Sequence, residues 1–352
     1  MEEIEVIAVT GACAPERRKY AERLASGMRR PLVTAARVAV ARDAGQAAAE
    51  LLGRLDAVGA VLEAPFELPG PELVGALAGP SAPTRLGGIV CVVDAAHLLQ
   101  DLAREDYLIR PERGVDGRPD EEVPLEYTAR ALLTASQIEF ASTLLLVGWQ
   151  GLPTAELTLV MAVLSHLAPS AALRLGGAEG AGEPPAAHYG PGQDRPGWVR
   201  LLNGEFEPVM TDPRVRAFRY ERMRPAHPQR LLELLDERVE PGEFGSLLRS
   251  AGFCRLATRP GVTAQWEQVG SMLSLEPLVT DRAVEREVLA GAEPLALGQD
   301  IAFIGVDLDE EALMEALDAA LLDDREMADG PRVWREYADP FPSWSDAFDP
   351  AE

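Results

Sequence analysis

The stretch "VTGACAPERRKYAERLASG", Val9 to Gly27, joins an apolar segment, Ile4 to Val9, to a helical pattern. A glycine loop between a strand and a helix is where a chain cradles phosphate, because the helix N-terminus presents free N–H groups. A phosphate loop reads G-x-x-x-x-G-K-[ST]: the second glycine admits the phosphates, the lysine reaches them, and the hydroxyl holds Mg²⁺. Counted from Gly11, those three positions are Glu16, Arg17 and Arg18. A Glu16 carboxylate about 4 Å from a phosphate oxygen would cost about 4 kcal/mol at an effective dielectric near 20. That is about three decades of affinity. Arg17, Arg18 and Lys19 could offset part of the repulsion, but no hydroxyl remains for Mg²⁺. Sliding the register onto Lys19 places Tyr20 next, which also lacks the required chemistry. Two readings stand: a phosphate loop with replaced chemistry, or an ordinary strand-to-helix turn. In the second, Pro15 sits near the helix start and the basic cluster lies on a solvated face.

The elements that would position this loop follow from apolar runs. Strands are expected at "IEVIAV", "RVAVA", "GAVLE", "GGIVCVVD", "TLLLVG" and "AALRLG". Helical patterns alternate with them at "APERRKYAERLASGM", "AGQAAAELLGRL" and "PTAELTLVMAVLSHL". Continuous apolar strands with helical crossovers predict a mainly parallel α/β sheet flanked by helices, with ligands bound at the strands' carboxyl ends. This domain is expected over residues 1–175. Within it, Glu105 to Pro124 reads as a mobile loop. A Gly/Pro/Ala-rich linker is expected over 176–197. A smaller α+β domain with an acidic tail follows over 198–352. Its expected strands are "RVRAFRYERM", "SLLRSAGFCRLAT", "VTAQWEQVGSML" and "DIAFIGVDL", and its helices "HPQRLLELLDERV" and "DEEALMEALDAALL".

Composition narrows the function classes. The 352 residues carry 33 Lys+Arg against 57 Asp+Glu, a net charge of −24. Such a chain is a poor non-specific ligand for nucleic acid or an anionic membrane. No apolar run reaches membrane-spanning length, and "MEEIEV" lacks the basic start of a signal peptide, so a cytoplasmic protein is expected. Lys19 is the single lysine and Asn203 the single asparagine. The three cysteines, Cys13, Cys91 and Cys254, have neither ligand spacing nor an even count.

The second half carries a resemblance. "FRYERMRPAHPQRLLELL", "LLRSAGFCRLATRPG", "QWEQVGSMLSLEP", "IAFIGVDLDEEALMEALDAALLDD" and "GPRVWREYADPFPSW" resemble, in order, the C-terminal domain of CobW-like proteins. In the first half, "VLEAPFELPGPELV", "GGIVCVVDAAHLL" and "SQIEFASTLLLVGWQGLP" look like the family's Walker-B-like, Val-Val-Asp-Ala and guanine-motif segments. The resemblance implies a SIMIBI-class P-loop GTPase fold. It also implies a setting in which GTP hydrolysis switches delivery of zinc, cobalt or another metal to client proteins.

The chemistry-bearing positions depart from that pattern. The family's base-reading Asn-Lys-x-Asp has no counterpart, because Gly148-Trp149-Gln150-Gly151 stands there. Trp149 could stack on an aromatic ligand or be a buried core residue. Glu63 keeps the acidic residue after its strand, but the γ-phosphate-sensing glycine is replaced at Phe66. Asp94 matches the family and could equally cap a helix. The family's Cys-x-Cys-Cys metal loop has no counterpart in "ARDAGQAAAELLGRLDAVGAV", and no metal ligands are assigned. His227 matches the family's "RPFHPxR", where a structural role at a helix start is the alternative to ligation.

The candidate nucleotide-site positions are therefore Gly11, Glu16, Arg17, Arg18, Glu63, Asp94 and Trp149, with no catalytic residue and GTP bound weakly or not at all. The expected function is a hydrolysis-deficient CobW-like protein acting through a protein partner of a metal-delivery pathway, such as an intact GTPase paralogue. Two alternatives are a GTP-binding metallochaperone with slow hydrolysis through Arg17 and Arg18, and a carrier holding hard cations on carboxylates. The aromatics Trp334, Tyr337, Phe341 and Trp344 are expected to pack back onto the C-terminal domain.

Overall fold

The computed structural model describes residues 3–111, 125–177, 184, 186–190, 194–281 and 298–344. The chain forms two compact units. The first, comprising 1–197 and 207–212, is built on a six-stranded sheet ordered β2-β3-β1-β4-β7-β8. Its strands are β1 (Ile4–Thr10), β2 (Leu32–Val33), β3 (Gly59–Glu63), β4 (Thr84–Asp94), β7 (Thr143–Val147) and β8 (Ala172–Leu175). Every pairing in it is parallel. The crossover helices are α1 (Ala14–Met28), α2 (Ala35–Val38), α3 (Ala44–Gly53), α4 (Gly70–Ala78), α5 (Leu98–Leu102), α6 (Arg130–Glu139) and α7 (Thr154–Leu167). β3 is buried along its whole length and β4 almost so, as strands covered on both faces must be. This is the α/β architecture that the alternating apolar runs predict.

α1 shows how sequence sets position. Pro15 occupies its first turn, where a missing N–H costs nothing, and Arg29 closes it in a left-handed conformation. Tyr20, Ala21, Leu24 and Ala25 form its buried stripe. They pack on Ile7, Val9, Val61, Val90 and Val92 of the sheet. At about 1.5–3 kcal/mol per large buried side chain, this packing pins the Gly11 loop over the strand ends.

Two expectations are corrected. "RVAVA", Arg37–Ala41, is not a strand: α2 and a turn occupy it, and the edge strand is the two-residue β2 before it. The Glu63 carboxylate accepts the Ala35 N–H at 3.2 Å, so a tertiary contact supplies the helix start, while Val40 is exposed. Nor is Glu105–Pro124 wholly a loop. Tyr107–Pro111 (β5) pairs antiparallel with Leu125–Ala129 (β6), and 112–124 lie outside the described residues. Parts of the expected linker, 178–183, 185 and 191–193, also lie outside them. Its described residues are tied to the first unit: the Ala187 N–H donates to the Gly87 carbonyl at 2.9 Å, and the buried Tyr189 hydroxyl to the Phe140 carbonyl at 2.8 Å.

The second unit, 198–206 and 213–352, begins within α8 (Gly197–Leu202). Its antiparallel sheet is ordered β12-β11-β10-β13-β9. The strands are β9 (Val215–Arg222), β10 (Ser246–Cys254), β11 (Val262–Val269), β12 (Met272–Thr280) and β13 (Gln299–Val306). The helices are α9 (Pro228–Leu234), α10 (Glu310–Ala320), α11 (Asp324–Asp329) and α12 (Pro331–Trp334). Phe218, Tyr220, Trp266, Phe303, Leu313 and Leu317 anchor its core. The terminal aromatics do pack back. Trp334 donates its indole N–H to the Glu326 carbonyl at 2.6 Å, and Tyr337 stacks on His227 at 4.9 Å. Phe341 joins the core, and Trp344 donates to the Leu275 carbonyl at 2.9 Å.

Candidate functional site

The carboxyl ends of β1, β3 and β4 bring Gly11, Arg17, Glu63 and Asp94 to one edge of the parallel sheet. Gly11 leaves β1 with a φ of 129°, and a methyl group added there would sit 2.2 Å from the Val92 carbonyl oxygen. Only glycine fits. Its N–H donates to the Gln137 side-chain oxygen at 2.9 Å, and its carbonyl accepts from Arg17 Nη1 at 2.6 Å. The loop's polar groups at this point are thus used within the protein.

Arg17 departs from the solvated face considered for it. Its side chain, like that of Glu63, is only 6% exposed, and its Nε lies 3.6 Å from Glu63 Oε1. Glu63 in turn holds the start of α2 through Ala35. The residue at the lysine position of a phosphate loop therefore points into a buried ion pair. Arg18 and Lys19 are exposed, Arg18 beside Glu22 at 3.2 Å. Glu16 is exposed on the first turn.

Asp94 spends its oxygens locally. Oδ1 accepts from the Ala96 N–H at 3.0 Å and Oδ2 meets His97 Nδ1 at 2.8 Å. That hydrogen bond raises the His97 pKa. Trp149 is half-buried in a 3₁₀ turn, and its indole N–H donates to the Gly176 carbonyl at 2.9 Å. Phe66 offers its carbonyl to the Gln137 amide at 3.0 Å. Gln137 thereby holds the Gly11 loop and, through Phe66 and Leu68, the segment after β3. Sequence reading gave this residue no role. The signal was a glutamine within the mainly apolar pattern of α6, whose buried residues also include Thr134 and Glu139.

The cavity below the loop is lined by Gly11, Cys13, Cys91, Asp94, Thr134 and Gln137 and measures about 10 Å³. That is room for about one water, far below the roughly 300–1,000 Å³ of a small-molecule pocket. Cys13 and Cys91, distant in sequence, share this cavity. Burial pushes both thiols up to about 12, with Glu16 adding to the effect at Cys13. Burial does the same to Cys254. Among the described residues, no group of three or more His, Cys, Asp or Glu is placed to hold a metal ion. His227 sits at the N-cap of α9 without a side-chain cap bond. Burial and Arg230 lower its pKa.

GTP–Mg²⁺ does not fit these residues as they stand. Arg17, at the lysine position, is paired with Glu63, and no hydroxyl follows it for Mg²⁺. No helix among the described residues is long and apolar enough to cross a membrane.

Parts of this chain are similar to known proteins. Residues 215–321 match the cobalamin synthesis protein CobW C-terminal domain. A zinc-regulated GTPase metalloprotein activator of Dictyostelium discoideum is 27% identical over 161 residues, which cover 42% of this chain and 34% of that protein. A zinc chaperone of Mycobacterium tuberculosis is 29% identical over 290 residues, 76% of this chain and 64% of its own. The chain thus spans between 34% and 64% of the length of these curated relatives. The solved Zn(II)-bound YjiA GTPase of E. coli aligns over 92% of this chain and 100% of its own, at a TM-score of 0.34 and 14% identity. The matched residues 215–321 fall within the antiparallel second unit, which is therefore similar to the CobW C-terminal domain.

Proposed function

We propose that this protein is a cytoplasmic member of a metal-homeostasis system that has kept the CobW-like scaffold without nucleotide hydrolysis and acts by binding a protein partner. The observation that carries the reading is the buried Arg17–Glu63 pair, with Arg17 also bonded to the Gly11 carbonyl. A cation locked in this way cannot reach a phosphate unless Glu63 is left buried without its countercharge. The same observation counts against slow hydrolysis through Arg17. The zinc-related names of the relatives support the setting. The partner we propose belongs to a metal-delivery pathway, an intact GTPase paralogue being the first to try.

Calorimetric titration with GTP, with and without Mg²⁺, tests the hydrolysis reading. The expected result is no saturable binding at micromolar nucleotide and no gain from Mg²⁺. Sub-micromolar, Mg²⁺-dependent binding would overturn it.

A further inference from the structure

Residues 330–344 run back over the second unit as a strap. Arg259 binds Asp339 at 2.8 and 3.1 Å and the Phe341 carbonyl at 3.0 Å, between the anchors that Trp334 and Trp344 provide. Midway along, the Tyr337 ring lies on the His227 imidazole at 4.9 Å, with 20° between the planes. That imidazole is poorly provided for a second proton. Its Nδ1 is buried and has no hydrogen-bond partner among the described residues. A neutral ring tolerates this as the Nε2–H tautomer, which leaves Nδ1 a bare acceptor. A protonated ring makes Nδ1 a buried donor with nothing to bond and adds a charge. Titratable groups face it from three elements: Arg230 and Glu233 of α9, Glu326 of α11, and Tyr337 of the strap. The Glu326 oxygens are already taken, by Arg230 at 2.8 and 2.7 Å and by the Asp323 N–H at 2.9 Å. Burial and Arg230 therefore outweigh the two carboxylates and hold the His227 pKa below its ordinary 6.5.

We propose that His227 is a proton-operated latch: the neutral ring holds Tyr337, and with it the strap, and protonation loosens residues 330–344 while the sheet stays folded. The sign follows from linkage. Opening the strap exposes the ring and returns it towards an ordinary imidazole, so the closed state binds the proton less well. The hold is complete above about pH 6.5, weakens as pH falls through that value, and levels off below the closed-state pKa. His227 is the single histidine of the second unit, and Glu326, at about 2, stays ionised throughout this window. The proposal is independent of the nucleotide and partner readings.

Hydrogen exchange of the full chain at about pH 7.5 and about pH 5.5, each rate referred to intrinsic exchange at its own pH, tests it. Peptides covering 331–344 should lose at least about threefold in protection at the lower pH, and peptides covering β13 should not change. His227→Gln, which keeps a planar neutral side chain, should remove the pH dependence. Should that variant lose its fold, Tyr337→Leu provides a second test. Without the stack, protection over 331–344 should be low and equal at both pH values. Protection in the native chain that holds or rises at the lower pH would overturn the proposal, since Tyr337 and Glu326 would then favour the charged ring. So would the same loss in His227→Gln, or a loss shared equally by β13.

Discussion

Removing one partner of the Arg17–Glu63 pair should destabilise the first unit far more than removing both. At 3.6 Å the gross attraction is about 4–5 kcal/mol at an effective dielectric near 20. Both side chains are 6% exposed, so solvent screening removes little of it, yet desolvation of the two charges offsets much of the gain. Arg17→Met should cost about 3–5 kcal/mol, because it strands the Glu63 carboxylate and also removes the bond to the Gly11 carbonyl. Glu63→Leu should cost a similar amount, since it strands the guanidinium and frees the Ala35 N–H. The double variant replaces the pair by apolar volume and should cost less than either single, so the coupling should exceed about 3 kcal/mol relative to the sum of the singles. Hydrogen exchange of peptides covering Ile4–Met28 reads the opening free energy of this unit directly, whether or not the two units unfold together. Additive single costs, or an Arg17→Met cost below ~1 kcal/mol, would refute the claim that the pair holds the loop.

Three further outcomes are expected. Gly11→Ala forces a methyl group onto the Val92 carbonyl oxygen, so the first unit should lose more than ~3 kcal/mol or fail to fold, as seen by circular dichroism. In the second unit, hydrogen bonds from Arg230 hold the Glu326 carboxyl at about 2 against an ordinary 4.5. Its contribution is complete above about 4.5 and is lost as pH falls toward about 2, so Arg230→Met should flatten the acid side of the urea-midpoint profile. A heterologous partner that recognises the acidic surface should be captured from a native lysate at low salt and released as salt rises. Capture of nothing at low salt would dismiss the partner.

The parallel sheet was legible because β1, β3 and β4 are largely apolar runs separated by helical periodicity. The second unit was legible through its resemblance, but "VTAQWEQVGSML", read as one strand, holds β11, a turn at Gly270 and the start of β12, so β12 was missed. β2 was missed because a two-residue strand leaves no period to read. The β5–β6 pair was missed although Tyr107-x-Ile109 and Leu125-x-Tyr127 alternate. The Gly-, Pro- and acid-rich residues between them dominate the pattern and read as a loop. At the candidate site, the positions were legible but the partners were not. Arg17 precedes Arg18 and Lys19, and a basic run reads as solvated. Yet Arg17 lies three and four residues before Tyr20 and Ala21, on the stripe that α1 buries. Which carboxylate waits beneath that stripe depends on β3 lying beside β1, and this is a fact of topology rather than of spacing.

That topology bears on what a degenerate phosphate loop can do. In a working loop, the backbone amides and the lysine are free to meet phosphate. Here the Gly11 N–H is bonded to Gln137, its carbonyl to Arg17, and Arg17 to Glu63. Any phosphate that recruits Arg17 must first release it from Glu63. If that release costs what breaking the pair costs, ~3–5 kcal/mol, the competent state is populated at only about one part in 10² to 10⁴. Apparent affinity falls by the same factor, before the Glu16 carboxylate adds its own repulsion. The two effects are independent and compound one another. Restoring Glu16 to glycine would therefore recover only part of the lost affinity. In the free protein these bonds make the loop a joint that fixes β1, β3, β4, α1 and α6 to one another.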